Sequence, residues 1–351
     1  MNGAEDNSKG RLTRPTTGYP GVTAKAILIM RIIISLLVYL LGTSVPLRQA
    51  AALEYPIRPV RVIIPFTPGG APDVLLRLIA QKLSEKWGQG VVVENRVGGN
   101  TLIGTVAATK SDPDGYTLLL AADQTFIFNP LLYTSLPYSM KELEPIVLLA
   151  SIPHMLAIAN KVPVSNVKEL IALAKEKPNT LLYGTTGPGS IQRLATEYFS
   201  GIAGIKLVHV PYKGANETTT AIIAGEIDLT INGMSNILPH IGGGKLKALA
   251  ISTIKRNPLA PDIPTMQEAG VPGYSTQGAF GLFAPAGTAR EIREKIHIDV
   301  AEILSRLDVK QTLESRSFVV ENAGPAEFER FIANETTKWR KVIMQANIKG
   351  D

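Results

Sequence analysis

Two segments carry the pattern from which a backbone anion site is built: strand, glycine-rich loop, helix. The first is Ile64-Pro65-Phe66-Thr67-Pro68-Gly69-Gly70-Ala71-Pro72-Asp73, and the second is Tyr183-Gly184-Thr185-Thr186-Gly187-Pro188-Gly189-Ser190. Glycine lets the backbone approach a ligand closely. The start of the following helix presents unpaired N–H groups and the positive end of the helix dipole. At the carboxyl end of a strand in an open α/β sheet, such a turn cradles an anion. Either segment alone also reads as a plain tight turn, with Asp73 and Ser190 as helix N-caps. Two of them, about 120 residues apart in the sequence, point instead to a clamp with one cradle on each side.

Other chemistries lack their residues. The chain has no cysteine, which removes disulfides, thiolate nucleophiles and cysteine metal sites together. Gly184–Ser190 lacks the lysine of a P-loop, no G-x-G-x-x-G opens a helix after a strand, and there is no G-x-S-x-G elbow. The four histidines, His154, His209, His240 and His297, are scattered without metal-ligand spacing. Asp123 and Asp228 end or sit in strands without an evident catalytic partner. A nucleophile or base with an orienting partner cannot be assembled, so the chain is expected not to be an enzyme and to need no cofactor or metal.

The elements that must position the loops follow from periodicity. Short β-branched runs alternate with helical patterns, as βαβ units on parallel sheets do. Strands are expected at Val60–Pro65, Val91–Asn95 and Tyr116–Ala122, with helices at Asp73–Trp87 and Leu102–Ala108. Leu75, Leu76, Ile79, Leu83 and Trp87 share one helical face. A second unit begins near His154, with strands at Met155–Ala159, Leu181–Gly184, Leu207–Val210 and Ile227–Ile231. Its helices are expected at Val167–Lys175, Ile191–Ala203 and Thr218–Ala224. The chain then returns through strands at Leu249–Ser252 and Phe280–Pro285 and ends in helices at Ala289–Leu304 and Ala326–Asn347.

The first 52 residues differ in kind. Met30-Arg31, the apolar run Ile32–Leu41, Gly42 and Ala50-Ala51-Ala52 are the parts of a secretory signal, with cleavage expected before Leu53 and Met30 a possible true start. The run is too short to span a bilayer comfortably. This leader holds six of the 36 Lys/Arg and two of the 30 acids, so the net charge of +6 falls to +2 for the remainder. No nucleic-acid footprint follows from that balance.

The chain from Leu53 resembles the Bug family of periplasmic receptors for tripartite tricarboxylate transporters (TctC-like). The resemblance rests on YPIRPVRVIIPFTPGG (Tyr55–Gly70) with Asp73, VVVENRVGG (Val91–Gly99), DPDGYTLLLA (Asp112–Ala121), NPLLYTSLPY (Asn129–Tyr138) and Gly187-Pro188-Gly189-Ser190. It continues through HVPYKG (His209–Gly214), AGEIDL (Ala224–Leu229), DIPTMQEAG (Asp262–Gly270) and GLFAPAGT (Gly281–Thr288). It implies an α/β, two-lobed binding protein of type II architecture, a Venus flytrap with the ligand cleft between lobes. Lobe one would be 53–153 plus 275–351, and lobe two 154–274. It further implies a small carboxylate ligand, delivery to membrane permease subunits, and a monomer. A sensor that presents its closed form to a membrane kinase is the alternative, and an enzyme acting on a small organic acid a more distant one.

Carried over by position, Phe66, Gly69, Gly70 and Asp73 line the first lobe's side of the cleft. Thr186, Gly189, Ser190 and Asn232, at the end of the Ile227–Asn232 segment, line the second. Three positions depart from the family pattern. Gln192 stands about where many members have a histidine, and is counted with the site because it bears on ligand choice. Phe280 replaces a common tryptophan at a hinge or pocket position. Thr220 replaces a frequent acid, for which there is no physical account.

Overall fold

The computed structural model describes residues 21, 23–42, 54–187, 189–346 and 348. They fall into two units, one within Met1–Ala52 and one within Leu53–Asp351. In the first, α1 (Ala24–Gly42) takes up the apolar run of the leader. Among the described residues, no helix is long and apolar enough to cross a membrane. The expected cleavage point at Ala52–Leu53 lies outside the described residues.

The second unit is built on ten strands, and its sheet is mixed rather than parallel. β1 (Val60–Ile64) leads through α2 (Ala71–Trp87) to β2 (Val91–Asn95), and through α3 (Leu102–Thr109) to β3 (Thr117–Ala122). β1 pairs parallel with both β2 and β3, as two βαβ crossovers require. A π-helical turn at Gln124–Phe128 and α4 (Asn129–Leu132) follow β3. β4 (Leu143–Ala159) is far longer than the expected Met155–Ala159 strand.

α5 (Val167–Glu176), β5 (Leu182–Thr185), α6 (Ile191–Ala203), β6 (Val208–Pro211), α7 (Ala215–Ala224), β7 (Leu229–Gly233), α8 (Met234–Ile241) and β8 (Leu246–Ile251) complete the middle of the chain. β9 (Gln277–Pro285), α9 (Arg290–Ser305), α10 (Leu307–Glu314), β10 (Val319–Ala323) and α11 (Pro325–Ala346) end it.

β4 belongs to both halves of the sheet. From Leu143 to Pro153 it runs antiparallel to β9, which in turn is antiparallel to β3. From His154 onward it pairs with β7 and β8 instead. The other chain crossing, between β8 and β9, is tied to β4 at this point. The His154 N–H donates to Ser252 Oγ at 2.8 Å, the Ser252 N–H to His154 O at 2.9 Å, and the Thr276 N–H to Ser252 O at 3.1 Å.

Each half has its own apolar core. One gathers Ile158, Leu170, Tyr183, Phe199, Ile222, Leu229 and Ile251. The other half is cored on both sheet faces: Leu75, Ile79, Leu118, Leu149 and Val300 on one, Phe126, Phe128, Phe283, Phe328 and Trp339 on the other. The result is a two-lobed α/β architecture. α2 shows how sequence sets an element: Leu75, Leu76, Ile79 and Leu83 are buried, and Gly88 in the left-handed region stops the helix by donating to Ser84 O. Burying each such leucine stabilises the fold by roughly 1.5–3 kcal/mol.

Candidate ligand site

The parallel strands place their following loops on common edges. β1, β2 and β3 end in segments 65–70, 96–101 and 123–129, while β5, β6 and β7 end in 186–190, 212–214 and the start of α8. The loop after β5 meets the segments after β2 and β3. A Cβ placed on Gly189 would lie 2.7 Å from Asn100 Nδ2 and 3.4 Å from Leu132 Cδ1. The carboxyl ends of strands from the two halves therefore converge at this place.

In the first loop, Gly69 takes φ 77°, open to L-residues only at a cost, and Gly70 is the N-cap of α2. Asp73 is thus not the N-cap that the plain-turn reading would make it. The helix begins two residues earlier, with Pro72 in its first turn, and the Asp73 carboxylate reaches back instead. Its Oδ2 accepts from the Gly69 N–H at 2.9 Å and Arg77 Nε at 2.8 Å, and its Oδ1 from Asn95 Nδ2 at 2.9 Å. Burial alone would raise this carboxyl. The bonds from Arg77, Asn95 and Gly69 outweigh that and hold it below its ordinary value. Phe66 is half-buried, and its carbonyl accepts a further bond from Asn95 Nδ2 at 2.9 Å.

In the second loop, Ser190 is the N-cap of α6. Its Oγ accepts from the Arg193 N–H at 3.3 Å and donates to Gly187 O at 2.8 Å. Gly187 takes φ 119° and its N–H donates to Thr185 Oγ1 at 3.2 Å; Pro188 lies outside the described residues. Thr186 Oγ1 donates to Gln192 Oε1 at 3.0 Å, and both side chains are half-buried. Asn232 is fully buried and turned into its own half. It donates to Ala215 O at 3.3 Å and accepts from the Gly233 N–H at 2.8 Å.

Sequence reasoning missed a third group. Gly98, Gly99, Asn100 and Thr101 all have φ between 54° and 119°, although the last two are not glycine. Asn100 Nδ2 donates to Asn129 Oδ1 at 2.8 Å and to Tyr133 OH at 3.3 Å, and Gln124 Nε2 donates to Asn100 Oδ1. Thr101 Oγ1 accepts from Thr125 Oγ1 at 2.9 Å and Asn129 Nδ2 at 3.2 Å. Asn129 opens the NPLLYTSLPY motif, which was the available signal. Beneath it Asp123 is buried. That burial raises its carboxyl to about 7 despite bonds from the Ala279 and Gln124 N–H groups.

His209 Nε2 lies 2.6 Å from Thr185 Oγ1, and Asp228 is taken up by the Leu182 N–H and Lys161. No metal-binding group occurs among the described residues. A polar hollow between Arg58, Arg61 and Asp114 opens at the start of β1 and β3, the opposite strand end. Its arginines are paired, Arg58 with Asp114 at 2.7 Å and Arg61 with Glu94 at 3.3 Å.

The chain is similar to known proteins along most of its length. Residues 75–348 match the family model of the tripartite tricarboxylate transporter family receptor. Protein BugT of Bordetella pertussis is 33% identical over 319 residues, covering 90% of this chain and 97% of that protein. Among solved structures, R. palustris Rpa4515 with adipate aligns with a TM-score of 0.79 and 34% identity, over 84% of this chain and 99% of that one. MatC from Rhodopseudomonas palustris with bound malate aligns with a TM-score of 0.75 and 28% identity, over 82% and 100%. The periplasmic binding protein BugD aligns with a TM-score of 0.75 and 28% identity, over 84% and 99%.

Proposed function

Because the chain belongs to the tripartite tricarboxylate transporter receptor family, we propose that it is a periplasmic receptor that captures a small carboxylate between its two lobes. It then delivers the ligand to a membrane permease, without chemical conversion. The observation that carries the reading is the approach of the 186–190 loop to the 96–101 segment, where Gly189 meets Asn100 and the carboxyl ends of the two halves' strands come together. Helix N-termini there favour an anion without any cation being buried. The carboxylates bound by the relatives, adipate and malate, support the same ligand class.

In this reading lobe one is 53–153 plus 275–351 and lobe two is 154–274. The division falls at the His154–Ser252–Thr276 tie, the natural hinge for closure around a ligand. The backbone of Phe66, Gly69 and Gly70 faces the ligand from lobe one, and Thr186, Gly189 and Gln192 face it from lobe two. Asp73, Ser190 and Asn232 hold those loops in shape. The leader directs export and is removed before Leu53, and the receptor acts as a monomer.

A thermal-shift screen of dicarboxylates, monocarboxylates and sugars tests the reading, with mass spectrometry of any retained ligand. A ligand at a hundredfold excess over its dissociation constant stabilises the receptor by about 2.7 kcal/mol. Stabilisation is expected from carboxylates, recovered unchanged after incubation. Stabilisation by sugars alone, or recovery of a converted product, would refute the proposal.

A further inference from the structure

Space excludes a side chain at Gly189: the Cβ of any other residue would stand 2.7 Å from Asn100 Nδ2 and 3.6 Å from its Cγ. Such a clash is trivial when the opposing atom ends a free side chain, and Asn100 is not free. Its Nδ2 is held by Asn129 and Tyr133, its Oδ1 by Gln124, and its own carbonyl accepts from Asn129 Nδ2 at 2.9 Å.

The backbone under Asn100 is equally fixed. Asn100 at φ 54° and Thr101 at φ 75° occupy a region that a β-branched residue adopts only when its surroundings over-determine it. Thr125 and Asn129 do so, through the Thr101 hydroxyl. Gln124, Thr125 and the residues up to Phe128 form the π-helical turn after β3, an element that recurs at functional sites. The whole arrangement thus aims one rigid carboxamide of the first half at one bare backbone position of the second.

We propose that Asn100 is a positioning residue of the binding site, the fixed stop against which the 186–190 loop comes to rest when the halves close on a ligand. The inference rests on the receptor reading above. Position 189 then sets how far the α6 N-terminus can approach a carboxylate bound between the loops.

Three variants test it, with malate and adipate as probes. Gly189→Ala should weaken binding of the better probe by about tenfold or more, the affinity equivalent of an overpacked contact. Asn100→Gly suits the left-handed backbone and removes the obstacle. The double variant should therefore bind within about threefold of Asn100→Gly alone. A general structural defect at 189 would not be rescued in this way, so absence of rescue overturns the proposal, as does unchanged binding by Gly189→Ala.

A second measurement needs no ligand. The natural chain has no cysteine, so Asn100→Cys with Gly189→Cys introduces the only two thiols. Under mild oxidation both should disappear into an intramolecular cross-link, because a Cβ at 189 stands 3.6 Å from Asn100 Cγ, the position a cysteine sulfur would take. Thiols that stay free in a folded protein, with and without the probes, would overturn the stop. A cross-link in a protein that neither probe stabilises would leave the stop standing and count against the carboxylate reading.

Discussion

Asn95 Nδ2 donates at 2.9 Å to both Asp73 Oδ1 and Phe66 O, so the end of β2 is stitched to the loop that follows β1. Asp73 completes the stitch with its other oxygen, on the Gly69 N–H and Arg77. Asp73→Asn would turn one of these acceptors into an amide donor facing donors. It should therefore destabilise the chain by about 1.5–3 kcal/mol, the range for hydrogen bonds to a charged group. Urea unfolding measures this; a loss below about 0.5 kcal/mol would mean that the loop holds its shape without the carboxylate.

Ser190 has both of its hydrogen-bonding roles filled within its own loop, accepting from Arg193 N–H and donating to Gly187 O. Ser190→Ala is expected to cost about 1 kcal/mol of stability as a lost cap. Ligand affinity should change by less than about threefold, since the hydroxyl has no proton left to give. A drop of roughly tenfold or more in calorimetry would instead assign the hydroxyl directly to the ligand.

Gly281 on β9 lies against the ring of Phe328 on α11, so closely that a Cβ would overlap the ring's Cζ and Cε1. Phe328 is fully buried and packs on Phe126 and Phe283. Gly281→Ala should then destabilise by about 3 kcal/mol, the upper end for overpacking. Pairing it with Phe328→Leu should recover part of the loss. Recovery by neither route, or no loss at all, would show that α11 can shift away from the sheet.

Some of this was legible beforehand for local reasons. α6 matches its expected Ile191–Ala203 span because a serine cap opens it and Gly204 in the left-handed region ends it. β2 matches because Val91–Asn95 is a short β-branched run between turns. β4 was found only from Met155 because Pro145 and Pro153 break the strand pattern. The sheet tolerates them where the pairing is irregular or the strand changes partners. The Asn100 group stayed hidden because its meaning is not local. A positive φ at Asn and Thr leaves no mark in composition, and its partners Gln124, Asn129 and Gly189 are distant in the chain. The π-helical turn has no sequence period of its own.

Two histidines remain neutral in the fold. Burial, with Lys338 adding to it, lowers His154 to about 4; burial, with Arg193 adding to it, lowers His209 to about 4. The unfolded value is about 6.5, so both are depressed. Their contribution to stability is present above pH ~6.5 and is lost as pH falls toward 4. Asp123 acts in the opposite direction. Burial raises it to about 7, so its contribution is present below the unfolded value of about 3.9 and is lost as pH rises toward 7. Between about pH 4 and 6.5 the two histidines outweigh the one carboxyl, and acid destabilises the chain. Asp123→Asn removes the opposing contribution, so its unfolding midpoint should fall further behind that of the parent as pH is lowered through this window. His154→Gln removes one histidine and should flatten the decline. Urea midpoints measured across the window decide it: an Asp123→Asn curve parallel to the parent's would mean that the buried carboxyl is already ionised there.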